Sequence, residues 1–124
     1  GMLGVQTGKQ TIRLAAGQTA LIPRGAVHRF FNPSEEHSVT FLCRITPACS
    51  FEHMLRIAYG LANDGRTNSK GVPSLLPLAI MFEKGGTYMP GLPPLVQKKI
   101  FRLLCRVARW RGIDKQLERY YVAG

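Results

Sequence analysis

The chain has 124 residues, 45% of them hydrophobic, and carries 17 Lys and Arg against seven Asp and Glu, for a net charge of +10. That length fits one domain with a modest core, and the excess of positive charge fits an anionic partner better than a cationic one. No run reaches the roughly 18 apolar residues that a bilayer-crossing helix needs, so no membrane span is expected.

Gly1 ahead of Met2 reads as an added residue before a start methionine. Gln6, Lys9, Gln10 and Arg13 interrupt any leader-like apolar run, and a cytoplasmic protein is the expectation. Leu3, Val5 and Thr7 alternate with small or polar neighbours, Gly8-Lys9-Gln10 forms a turn, and Thr11–Leu14 resumes the pattern. This predicts a hairpin. Thr19–Ile22 reads as a further strand that Pro23 ends, because proline cannot donate to a ladder. Gly25 supplies the backbone freedom of the next turn. His28–Phe31 then reads as a strand closed by Asn32-Pro33. Glu35-Glu36 sits at an exposed tip, and Ser38–Thr46 is the longest β-like run, ended by Pro47. On strand His28–Phe31, His28 and Phe30 share one face, and Arg29 and Phe31 the other.

The spacing Gly17-x5-Pro23-x-Gly25-x2-His28-x3-Asn32 resembles, at every fixed position, the second signature motif of the cupin superfamily. Further likeness to bacterial cupin-domain proteins with a helical C-terminal extension is carried by Pro47-Ala48, Phe51-Glu52, Leu61 to Arg66, Gly71-x-Pro73, Pro77-Leu78-Ala79 and Gly91-x-Pro93. The resemblance implies an α+β chain, with a partial cupin (jelly-roll type) β-barrel over residues 1–48. A helical extension over 49–124 would pack on that barrel in one folding unit. It also implies a small-molecule ligand in the barrel mouth, contacted by His28, Phe30 and Arg24. In an intact relative His28 would be one ligand of a divalent metal.

The first cupin motif, a His-x-His pair with a glutamate, is absent, and His37 and His53 do not supply it. A shortened chain, a displaced gene start and a natural half-cupin all stay open as its origin. One histidine is too few for a metal site, so no metal is expected at the usual cupin position. Missing strands would leave open sheet edges, which predicts a homodimer.

Beyond Pro47 the pattern turns helical. Phe51, Met54, Leu55, Ala58, Leu61 and Ala62 recur at three-and-four spacing, with Ser50 as cap and Asn63-Asp64-Gly65 as stop. Core packing of Phe51 and Tyr59 is favoured over a ligand stripe. Pro77 suits the first turn of a second helix ended by Gly85-Gly86. Thr87–Pro94 reads as a Pro/Gly linker. Pro93-Pro94 open the strongest helix, Leu95 to Trp110, with Gly112 as its stop. Around it, Lys98, Lys99, Arg102, Arg106 and Arg109 fall within an arc of about 100°. Val96, Ile100, Leu103, Leu104, Val107 and Trp110 lie on the far side, which the pattern assigns to the core. A short last helix follows from Ile113, with Asp114 as its cap.

The cationic arc supports a second reading, a basic interaction module that docks on nucleic acid or an anionic surface. No aromatic residues interleave with the charges, which argues against nucleic acid. The three cysteines, Cys43, Cys49 and Cys105, are widely spaced and odd in number, and read as buried free thiols. No phosphate loop, nucleophile elbow or paired-carboxylate site is present, so no reaction is assigned.

Overall fold

A computed structural model describes residues 1–122. The chain is mixed α+β, with one three-stranded antiparallel sheet and four helices. It divides into two compact units, Gly1–Arg44 and the remainder from Ile45.

In the first unit, β1 (Leu3–Thr7) is central, with β2 (Gln10–Leu14) on one side and β3 (His28–Phe31) on the other. Gly8, at positive φ (57°), opens the two-residue loop between β1 and β2, where hairpin twist demands it. The chain enters β3 through a turn in which the Ala26 N–H donates to the Pro23 carbonyl at 3.2 Å. Gly25 stands at its third position with φ 82°, the conformation a type II turn requires there. Register puts Val5 between Ile12 and Phe30, and Thr7 between Gln10 and His28. One face of the sheet is therefore apolar at the Leu3–Leu14 and Ile12–Val5–Phe30 rows and polar at the Gln10–Thr7–His28 row. Val5 at its centre is buried, while Ile12 and Phe30 on the flanks stay exposed. On the opposite face the Phe31 ring lies so close to Gly4 that a Cβ there would run into it.

Two expected strands do not form. Thr19–Ile22 and Ser38–Thr46 are irregular, and Leu21 and Leu42 are 92% and 90% exposed. Both stretches have strand-like composition, but β propensity is realised only where a neighbouring strand offers a ladder. Among the described residues the sheet stops at β2 and β3. No barrel closes.

The second unit contains α1 (Phe51–Asn63), α2 (Leu75–Gly85), α3 (Pro94–Trp110) and α4 (Ile113–Glu118). Helix α2 packs against the other three. Its Pro77, Ala79, Ile80 and Met81 are all buried, as befits an element surrounded by others. Pro77 is the third helical residue, where a missing N–H costs no intrahelical bond. Gly86 ends α2 in the left-handed conformation. The core joins Ile57 and Leu61 of α1, Ala79, Ile80 and Met81 of α2, Cys105 and Ala108 of α3, and Leu117 of α4. Ile57, which the expected α1 face omitted, is fully buried, and Leu55, which it included, is exposed. Tyr59 is exposed as well, so it does not pack in the core.

The chain after α4 is pinned to α1. The Tyr120 hydroxyl donates to Asp64 Oδ2 at 2.6 Å, and Arg119 donates to the Tyr120 oxygen at 2.6 Å and pairs with Asp64. The Tyr120 ring lies against Gly60, where any Cβ would collide with it. His53 stacks on Tyr121 with centroids 4.4 Å apart.

Two expected details are corrected. Ser50 occupies the N-cap of α1 but makes no side-chain capping bond. Gly112, not Asp114, occupies the N-cap of α4. Asp114 lies in the first turn, with Oδ1 buried and unpartnered among the described residues.

The largest correction concerns α3. The arc turned inward is Gln97, Phe101, Leu104, Cys105 and Ala108, and of the expected apolar arc only Leu104 belongs to it. Val96, Ile100, Leu103 and Trp110 are exposed, and only Leu104 and Val107 are half-buried. Gln97 explains the choice. Its Oε1 accepts the Met89 N–H at 2.8 Å, and its Nε2 donates to the carbonyls of Met89 and Leu92, each at 2.7 Å. The stretch expected to be a Pro/Gly linker is clasped to the helix by one buried carboxamide.

Gln97→Met keeps the volume but strands the Met89 N–H and carbonyl. It is expected to lower unfolding free energy by about 1–3 kcal/mol, measured by urea denaturation. A midpoint equal to that of the unsubstituted protein would show that the clasp does not hold α3.

Candidate functional site

The residues expected around the motif histidine are only partly brought together. His28 begins β3 opposite Thr7. Its Nδ1 lies 2.8 Å from the Ala26 carbonyl, which can only accept, so Nδ1 carries the proton and Nε2 is left free. The Phe30 ring meets His28 edge-on at 5.5 Å and Phe41 at 5.3 Å. These three rings form a short exposed row. Arg24 projects from the preceding turn, exposed and without an ion pair among the described residues.

Among the described residues no three His, Cys, Asp or Glu side chains converge to hold a metal ion. His28 alone does not fit the metal that the cupin likeness implies for intact relatives. A recess of about 170 Å³ does open in the same unit, between Leu3, Leu14, Gly17, Gln18, Val39 and Phe41. It is smaller than the roughly 300 Å³ at which ordinary ligand pockets begin. Neither His28, Phe30 nor Arg24 lines it.

The basic residues are better organised. Lys98, Lys99, Arg102, Arg106 and Arg109 are all exposed on one side of α3. The helix itself contains no acid. Arg109 is paired with Glu83 of α2, while Lys98, Lys99, Arg102 and Arg106 have no ion pair among the described residues. A second recess, of about 160 Å³, lies at the edge of this face, where Lys98 and Arg102 meet Glu83, Thr87 and Tyr88. The helix keeps the charges in a row because another arc of it is locked in the core. Four cations without an ion pair among the described residues are thus held at fixed spacing along one helix.

The cysteines divide differently from expectation. Cys105 is buried, but Cys43 and Cys49 are exposed. Burial, with the Glu83 carboxylate nearby, pushes the Cys105 thiol up from 9.0 to about 11. No hydrogen bond joins Cys43 to His28 among the described residues, so the two do not form a nucleophile–base pair.

No family model, curated protein or solved structure matches this chain.

The Cys105 shift fixes a pH dependence. In the unfolded chain the thiol releases its proton near 9.0, while in the folded chain it keeps it to about 11. Across that window the native state binds more protons, so stability falls as pH rises. Cys105→Ala should flatten that part of the stability–pH curve, measured by denaturant titration between pH 8 and 11. An unchanged slope would reject the assignment. A thiol reagent should label Cys43 and Cys49 in the native protein and Cys105 only after unfolding.

Proposed function

We propose that the chain is a basic interaction module that docks on polyanionic surfaces through the exposed face of α3. The observation that carries this reading is the set Lys98, Lys99, Arg102 and Arg106. The four are exposed, lie on one helix, have no acidic neighbour in that helix, and make no ion pair among the described residues. Arg109 extends the row at its C-terminal end, with its charge partly answered by Glu83. Binding of this kind is electrostatic, weakens as salt screens the charges, and requires no enclosed pocket. Nucleic acid is the less favoured polyanion, because no aromatic side chain of α3 lies within the cationic arc for bases to stack on.

The chain should be retained on immobilised heparin and elute earlier as charge is removed. The triple variant Lys98→Glu, Lys99→Glu, Arg102→Glu should lose retention at physiological salt while its thermal unfolding stays unchanged. Equal retention of the variant would sink the reading.

A second reading is favoured by the sheet. We propose that β1–β3 are part of a cupin-type β-barrel whose remaining edges are met by a second copy of the chain. Supporting it are the two open edges at β2 and β3, the half-covered apolar face, and the exposed Leu21 and Leu42 in unpaired strand-like segments. On this reading a small molecule would be met by His28 and Phe30, with Arg24 at the rim. Light scattering at micromolar concentration should give twice the mass of one chain, and a single-chain mass would count against the pairing.

A further inference from the structure

Around α3 the side chains divide into three arcs. Gln97, Phe101, Leu104, Cys105 and Ala108 face the core. The cationic residues occupy a second arc. The third is Val96, Ile100, Leu103, Val107 and Trp110, recurring at intervals of four and three residues, so that they form one strip along the helix. At about 100° per residue this strip spans an arc of about 80°. Leu103 is 61% exposed and Trp110 84%. An apolar strip of this length, left outside while a glutamine is buried on the same helix, is not what a self-contained core produces.

We propose that α3 is an interfacial helix that lies flat on an anionic lipid surface, with this strip inserted among the acyl chains and the adjacent cationic arc on the headgroups. The inference rests on the polyanion-binding reading and adds to it the class of surface.

Charge and shape select the occupant. A second copy of α3 would bring five more basic residues and no acid to the same contact, and like charges at a helix seam repel. Lys99 and Arg106 border the strip, and their long stems can lie along apolar surface while the charged ends reach phosphate groups. Trp110, at the end of the strip, is 84% exposed. An indole at a helix end suits the boundary between headgroups and chains. The helix is only 17 residues long and carries five charges, so it would lie in the interface and not cross it. No helix among the described residues is long and apolar enough to cross a membrane.

Trp110 is the only tryptophan in the chain, so its fluorescence reports on this strip alone. With vesicles of phosphatidylcholine containing one-third phosphatidylglycerol, its emission should shift to shorter wavelength and be quenched by brominated acyl chains. Vesicles of phosphatidylcholine alone should bind at least about tenfold less. The double variant Val96→Gln, Leu103→Gln replaces two exposed side chains, and should lower partitioning about tenfold or more with heparin retention unchanged. An unshifted Trp110 signal at saturating anionic lipid would overturn the proposal, as would equal partitioning of the double variant. So would a dimer that dissociates in that variant, because the strip would then be a seam between proteins. Retention on heparin without insertion would leave the charge reading standing and remove only the lipid assignment. Loss of both would remove the two together.

Discussion

The rotation of α3 about its own axis decides what this protein presents to its surroundings, and the Gln97 carboxamide fixes that rotation. A glutamine is turned inward only when its polar atoms are answered, and here the backbone of residues 89–92 answers them with three hydrogen bonds. Turning the helix to bury the Val96–Trp110 strip would pull Gln97 out of that clasp and leave the Met89 N–H and carbonyl without partners. Losing the three bonds together costs about 1–3 kcal/mol, since they are only part-buried. Further along the helix, Cys105 and Ala108 are fully buried, and their small side chains allow α3 to seat closely in the core. A polar clasp near one end and small residues near the other hold the same arc inward.

The electrostatics follow from this seating. With Gln97, Cys105 and Ala108 inside, the basic row is set beside α2, close enough for Arg109 to pair with Glu83 and for Glu83 to raise the neighbouring Cys105 thiol. The pair is exposed and adds little stability by itself. Its consequence is to neutralise one end of the row and leave Lys98, Lys99, Arg102 and Arg106 as the free charge. The same seating that concentrates the charge also places the apolar strip next to it, so the two faces are products of one packing decision.

Much of the secondary structure was legible in the sequence, because its signals are local. The β1–β2 hairpin follows from alternation around Gly8, β3 from the Pro23–Gly25 turn, and the helix ends from Gly86, Gly112 and the Pro93-Pro94 pair. What was not legible depends on partners distant in the chain. Thr19–Ile22 and Ser38–Thr46 have the composition of strands, but a strand exists only where another backbone meets it. The buried arc of α3 was misread because apolar periodicity weighs Val96, Ile100 and Leu103 above Gln97 and Ala108, whereas packing rewards satisfied polar groups and small contacts. The cationic residues were legible one by one. That the acid-free row stays unpaired except at Arg109 could be read only from the fold.

The two units leave apolar surface open in physically different ways, and the difference limits what can cover each. The sheet ends at β2 and β3 with backbone N–H and C=O groups facing outward. Water can satisfy such groups, but they also form a template for another backbone at strand spacing, so the proposed occupant of that edge is a strand, and a second copy of this chain can supply one. Along α3 the backbone bonds are already made within the helix, and the strip lacks only apolar contact bordered by negative charge. A fluid lipid surface meets that need without any shape complementarity, whereas a protein partner would have to provide a groove wide enough for Trp110 and acids opposite Lys99 and Arg106. A directional edge and a non-directional strip therefore call for different partners.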